Sequence, residues 1–262
     1  MNLKFSIVLT TNRNTDSLKP LFTNTDSESE LIITDSNYSS DTKNWLSHQE
    51  GYSKIVYAPV EKFRFRYTKD CILGMNTAFM YAENYWVIRA DDNLEFKNDF
   101  FNICREDIGY FSNLLDNTNF SVIGNKAWES INQPKWMQTA GLTSRYVEVR
   151  NPEFTFSFGV LPIDLVYNLN GYDEVYDLGW GGEEEDFMAR AIGIGHKFYF
   201  DNEMMGYSHR HESTIMGIHV GKFIYNIMLP HILNGKIRAF NAYDIRAMQS
   251  LYLAKKEEFT IK

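Results

Sequence analysis

The sequence predicts an α/β fold: a mostly parallel, open, Rossmann-like sheet flanked by helices, followed by a C-terminal helical extension. Three observations predict it. Short apolar runs of strand length recur up to Phe200, and stretches long enough for a crossover helix separate the early ones. Beyond about Ser213 the apolar spacing changes to a helical period that continues almost to the end of the chain.

Taken in order, Phe5 to Thr10 reads Phe-Ser-Ile-Val-Leu-Thr, suited to a strand buried on both faces, and it ends in the polar loop Thr11-Asn12-Arg13-Asn14. A second run, 30–34, ends at Asp35-Ser36-Asn37, and the chain between the two suffices for a crossover, giving a beta-alpha-beta unit. Further strands are expected at 54–58, 85–89, 121–124 and 197–200. Between the third and fourth strands, Ile72, Met75, Asn76, Phe79 and Met80 fall at helical spacing. In the tail, 215–229, 232–240 and 245–253 read as helices. They either pack on the preceding domain or join a second copy in a homo-oligomer. The expected organisation is residues 1–212 as one domain, in two halves at 1–125 and 126–212, with the extension at 213–262.

With 262 residues and 44% hydrophobic content, the chain can bury one large core or two modest ones. A formal net charge of −8 repels phosphate polymers, so a nucleic-acid partner is disfavoured. Cys71 and Cys104 form no Cys-x-x-Cys pair and read as reduced, buried thiols. The sequence enters a strand-like run directly after Met-Asn-Leu-Lys, and no apolar run nears the roughly 20 residues of a membrane span, so a cytoplasmic protein is expected.

Open α/β sheets bind ligands beyond the carboxyl ends of their strands, which makes Thr11 to Asn14, Asp35 to Asn37 and Asp91 to Asn93 the candidate clusters. No Gly-x-Gly-x-x-Gly or Walker-type loop is present, so a metal is expected to carry the diphosphate of any bound nucleotide. Asp91-Asp92-Asn93 after a strand suits a hard cation such as Mn2+ or Mg2+, held by one or two carboxylates with phosphate oxygens completing the shell. The same residues also suit a turn or a helix N-cap. Leu178-Gly179-Trp180-Gly181-Gly182-Glu183-Glu184-Glu185-Asp186 puts four carboxylates at the positive end of a helix, which is favourable by itself. The glycines in front allow close backbone approach, the tryptophan offers a flat face for a sugar ring, and a carboxylate there can take a proton from a hydroxyl.

The block Gly179 to Asp186, with Phe158-Gly159-Val160 before it and Asn170-Gly171 between, resembles the beta-1,4-galactosyltransferase and chondroitin-polymerase group of GT-A glycosyltransferases. Phe5 to Thr10, Asp35 and Asp91-Asp92-Asn93 resemble the family 2 glycosyltransferases. Together the likeness spans roughly residues 3–212. It implies a GT-A fold and transfer of a sugar from a nucleotide-diphosphate donor, UDP first among them, to a hydroxyl on a carbohydrate or glycoconjugate, as in polysaccharide biosynthesis. It further implies Asp35 on the nucleotide base, Asp91 on the ribose side, Asp92 on Mn2+ or Mg2+, and Thr11, Asn12 and Lys69 near the nucleotide. Glu184 would be the general base of an inverting displacement, with Glu183 and Asp186 beside it and Trp180 shaping the sugar pocket. His209 or His211 would complete the metal site, His209 being favoured.

Two departures from the pattern matter. Glu184 stands where the family usually has Asp, so the base lies between Glu183 and Glu184. Arg89 stands where an acidic residue often precedes the metal-binding Asp, which implies weaker or differently arranged metal binding. The alternatives are a nucleotidyltransferase on a similar sheet, and a carbohydrate- or sugar-nucleotide-binding protein with little turnover.

Overall fold

Alternation along the strands distributes the core. In β1 (Phe5–Thr11), Ile7 and Leu9 enter one apolar cluster and Val8 the other, because successive side chains point to opposite faces. The structure is a computed structural model describing residues 3–60, 71–128, 144–150, 158–178, 181–209, 220–239, 241 and 243–261.

Nine strands among the described residues form one sheet: β1, β2 (Glu30–Asp35), β3 (Lys54–Pro59), β4 (Trp86–Arg89), β5 (Leu94–Phe96), β6 (Phe120–Trp128), β7 (Tyr146–Val149), β8 (Gly159–Pro162) and β9 (Lys197–Ser208). Their order is β3-β2-β1-β4-β8-β6-β9-β5, with β7 also on β9. The expected parallel arrangement is met in β3-β2-β1-β4 and in β6–β9. The pairings β4–β8, β6–β8, β5–β9 and β7–β9 are antiparallel, so antiparallel strands are built into the parallel sheet. β8 is the insertion that reverses direction, and nothing in its short apolar sequence reveals which way it runs.

The helices are α1 (Ser40–Ser47), α2 (Cys71–Tyr81), α3 (Phe100–Leu115), α4 (Ile163–Leu169), α5 (Glu183–Gly193), α6 (Val220–Leu233) and α7 (Ile245–Phe259), with 3-10 turns at Thr15–Phe22 and Glu174–Leu178. Residues of α2, α4, α5, α6 and α7 build the core on one face of the sheet, while α1, α3 and the first 3-10 turn build the other. Each fully buried Leu, Ile, Val or Phe contributes about 1.5–3 kcal/mol. Cys104 is buried as expected, but Cys71, in the first turn of α2, is exposed.

The described residues of the tail form α6 and α7, whereas 234–239 are not helical; 215–219 and 240 lie outside the described residues. α6 ends at Leu233, and Gly235 takes φ +94°, which stops the helical path. α7 lies against α2 and β3. Its buried Lys256 pairs with the Glu30 carboxylate at 2.5 Å, and Ile261 N–H donates to the Ile55 carbonyl at 2.8 Å. Asn170 and Gly171 form the socket for this packing. Asn170, in the left-handed region at φ 58°, accepts Ile245 N–H through Oδ1 at 2.8 Å. At Gly171 (φ +70°) a Cβ would come 2.3 Å from the Ile245 side chain and 2.4 Å from Asn76 Oδ1.

Candidate functional site

The parallel strands β1, β2 and β4 end on one edge, with Thr11 opposite Asp35 in register and Arg89 opposite Val8. Beyond that edge the loop after β1 grips the loop after β4. Thr11 Oγ1 donates to Asp92 Oδ2 at 2.7 Å, Arg13 Nη1 donates to Asp92 Oδ1 at 2.8 Å, and Arg13 N–H returns to Thr11 Oγ1 at 3.1 Å. Asn12 is exposed, and its carbonyl accepts Asn37 Nδ2 at 2.5 Å. Asp35 is buried: Oδ1 accepts Asn37 N–H at 2.7 Å and Oδ2 accepts the Tyr57 hydroxyl at 2.6 Å. Burial pushes its carboxyl up, against those two hydrogen bonds. The Tyr57 ring stacks under the exposed Tyr38 at 4.8 Å between centroids.

A second group arrives from α5. Gly181 (φ +79°) and Gly182 (φ +91°) turn the chain into the helix in a conformation that side chains resist, so their backbone role alone explains both. Asp177, in the preceding 3-10 turn, accepts the N–H groups of Ile72 and Leu73 at 2.8 and 3.2 Å and so caps α2, fixing the start of this loop against the sheet. The first turn of α5 carries Glu183, Glu184, Glu185 and Asp186. Burial raises the Glu183 carboxyl, while its own backbone N–H and the Arg89 charge act to lower it.

Arg89 joins the two groups. Its Nη1 donates to Asp91 Oδ1 at 2.7 Å and its Nη2 lies 2.9 Å from Glu184 Oε1, so one strand-end aspartate and one helix carboxylate share a buried guanidinium. Burial lowers the pKa of this guanidinium, but the charges of Asp91 and then Glu184 outweigh that and raise it. Asp186 does not face the same space. It is wholly buried and pairs with Arg190 Nε at 2.7 Å, while Arg190 also donates to the carbonyls of Leu169, Gly171 and Ile237. The geometry therefore gives Asp186 a bracing position against Arg190.

Asn93 Nδ2 donates to the His209 carbonyl at 2.7 Å, which holds the end of β9 beside the aspartates, yet the His209 imidazole lies 2.6 Å from Glu95 instead. Among the described residues no three His, Cys, Asp or Glu side chains converge as a metal site. The donors present do fit a hard cation held by one carboxylate. Asp92 is oriented by a hydroxyl, as ligating carboxylates commonly are, and the partly exposed Arg13 can leave Oδ1. Lys69, Trp180 and His211 lie outside the described residues. Arg13, Tyr172 and Asp177 join the site without having been singled out in the sequence. Arg13 sat inside the marked loop, whereas Asp177 looked like any acidic turn residue.

No family model matches the sequence, and no curated protein matches it. Solved structures do resemble it. TarS from S. aureus in complex with UDP-GlcNAc superposes with a TM-score of 0.64 at 14% identity, over 97% of this chain and 72% of that one. GalNAc-T7 with UDP, GalNAc and Mn2+ gives 0.61 at 11% identity, over 97% and 55%. The mannosyltransferase PcManGT from Pyrobaculum calidifontis with GDP-Man and Mn2+ gives 0.57 at 13% identity, over 97% and 73%. At such identities the likeness is one of fold, and the fold is that of the GT-A glycosyltransferases.

Proposed function

We propose that this chain is a glycosyltransferase that moves a sugar from a nucleotide diphosphate, UDP or GDP, to a hydroxyl of a carbohydrate or glycoconjugate. The observation that carries the reading is the Arg89 guanidinium held between Asp91 at 2.7 Å and Glu184 at 2.9 Å. It brings a donor-type aspartate cluster and a helix-borne carboxylate into one site on a fold whose solved examples include proteins bound to UDP-GlcNAc and GDP-Man.

In this reading the loops after β1, β2 and β4 hold the nucleotide. Asp35, bonded to the hydroxyl of Tyr57, is on the base side, Thr11 and Asn12 line the approach, and Asp91 takes the ribose. Lys69 and Trp180 are proposed for the nucleotide and the sugar. Asp92 is the holder of Mn2+ or Mg2+, with His209, oriented by Glu95, or else His211 joining it. Such a cation would neutralise charge on the departing diphosphate. Glu184, with Glu183 beside it, takes the proton of the acceptor hydroxyl as that oxygen attacks the anomeric carbon from the face opposite the leaving group, inverting the centre. Asp186 supports this helix through Arg190.

A second reading, a sugar-nucleotide-binding protein with little turnover, is favoured by the two arginines that neutralise Asp91, Asp92 and Glu184. A thermal-shift screen of UDP- and GDP-sugars with and without Mn2+, followed by nucleotide release from the hits, separates the readings. The transferase reading expects a sugar nucleotide to raise Tm by mass action, more so with Mn2+, and to be turned over. Binding without release favours the second reading, and no shift from any sugar nucleotide contradicts both.

A further inference from the structure

Three carboxylates, Asp91, Glu183 and Glu184, crowd the junction between β4 and α5, and all three act on the same buried guanidinium. The side chains of Arg89 and Glu184 are each only 9% exposed. Like charges at such close quarters repel one another, and an enclosed carboxylate needs an opposite charge beside it. The Arg89 guanidinium keeps its charge at any working pH and has two forks. One fork holds Asp91 and the other Glu184, so the direction in which Glu184 presents its carboxylate depends on where Asp91 stands. The wholly buried Tyr172 packs between Phe79 and Phe187. Its hydroxyl has no hydrogen-bond partner among the described residues and lies in the field of Arg89, Glu184, Glu183 and Asp91. It cannot supply the missing positive charge.

We propose that Arg89 is a positioning residue that keeps Glu184 ionised and aimed, and that ties it mechanically to the donor-side Asp91. The inference rests on the reading of Glu184 as the base. Arg89 touches neither sugar nor diphosphate in this account; it acts through the two carboxylates it holds. Among the described residues, the groups around the Glu184 carboxylate include Arg89 from β4, Asp91 after it, Glu183 and Glu185 on its own helix, and Tyr172 from the loop after α4.

The test is a 13C NMR titration of glutamate side chains in the full chain, with the Glu184 signal assigned by its loss in Glu184→Gln. In Arg89→Gln the Glu184 midpoint is expected to rise by at least about one pH unit, a tenfold change in proton affinity. The acid limb of kcat/KM should move with it. An unmoved midpoint overturns the inference. If the midpoint moves but no sugar nucleotide is ever turned over, the arginine link stands and the transferase reading falls. Arg89→Lys keeps the charge but loses the fork, so it should hold the midpoint near wild type and lower kcat roughly tenfold. Should Arg89→Gln fail to fold, unchanged kcat in Arg89→Lys overturns the proposal.

Discussion

Asp186 and Glu184 lie two positions apart on α5 and do different work. Glu184 meets Arg89 at the edge of the sheet, whereas Asp186 points inward to Arg190, and both members of that inner pair are 0% exposed. Burial raises the Asp186 carboxyl and Arg190 opposes the rise. Removing one partner of such a pair leaves an uncompensated charge in the core, which costs about 3–5 kcal/mol. Asp186→Asn is therefore expected to lower unfolding free energy by that order in denaturant titrations, and to lower activity only as far as folding suffers. Normal stability with abolished donor binding would return Asp186 to the ligand site. Residue type and spacing revealed an acidic turn here. They could not show which carboxylates face in, because that depends on the angle at which Gly181 and Gly182 launch the helix.

At the scale of elements, β1, β2, β3 and β4 were legible because unbroken apolar runs such as Leu31-Ile32-Ile33 have no other stable use in a short segment. α2 was legible from its spacing, although its start at Cys71 owes more to the distant cap by Asp177. β5, β7 and β8 escaped notice: each has only three or four residues, and their pairing comes from strands remote in sequence. The reading of 232–240 as a helix failed at Gly235, where a positive φ ends the periodic run. Asn170-Gly171 was noticed as part of a motif, and its two left-handed residues prove to seat the tail at Ile245. The site was legible as three strand-end clusters and one glycine-carboxylate block. Arg89 was legible only as a departure from a pattern, since its bridging role needs both clusters in place.

Across the whole molecule, stability should depend on pH through two buried groups of opposite sense. His196, between Asn119 and Ser121 at 2.8 and 2.9 Å, is pushed down by burial to about 3 from 6.5. The unfolded chain therefore binds a proton there that the folded chain refuses, and stability falls as pH drops from about 6.5 toward 3, by at most about 1.4 kcal/mol per pH unit. Asp107 is pushed up by burial, then by its hydrogen bond with Asp201 and that residue's charge, while Tyr146 and Arg145 pull the other way. Here the folded chain holds the extra proton, so this contribution is complete below 3.8 and fades as pH rises above it. Denaturant titrations of wild type and His196→Gln between pH 4 and 7 check the first of these, with the acid slope expected to be shallower in the variant.

The account turns on Glu184 as the group that accepts the acceptor's proton. Its most direct measurement compares wild type with Glu184→Gln in sugar transfer, alongside donor affinity by titration calorimetry. Loss of the base is expected to lower kcat roughly 10²–10⁴-fold with donor affinity preserved. A Glu184→Gln variant that transfers sugar at the wild-type rate would contradict the account.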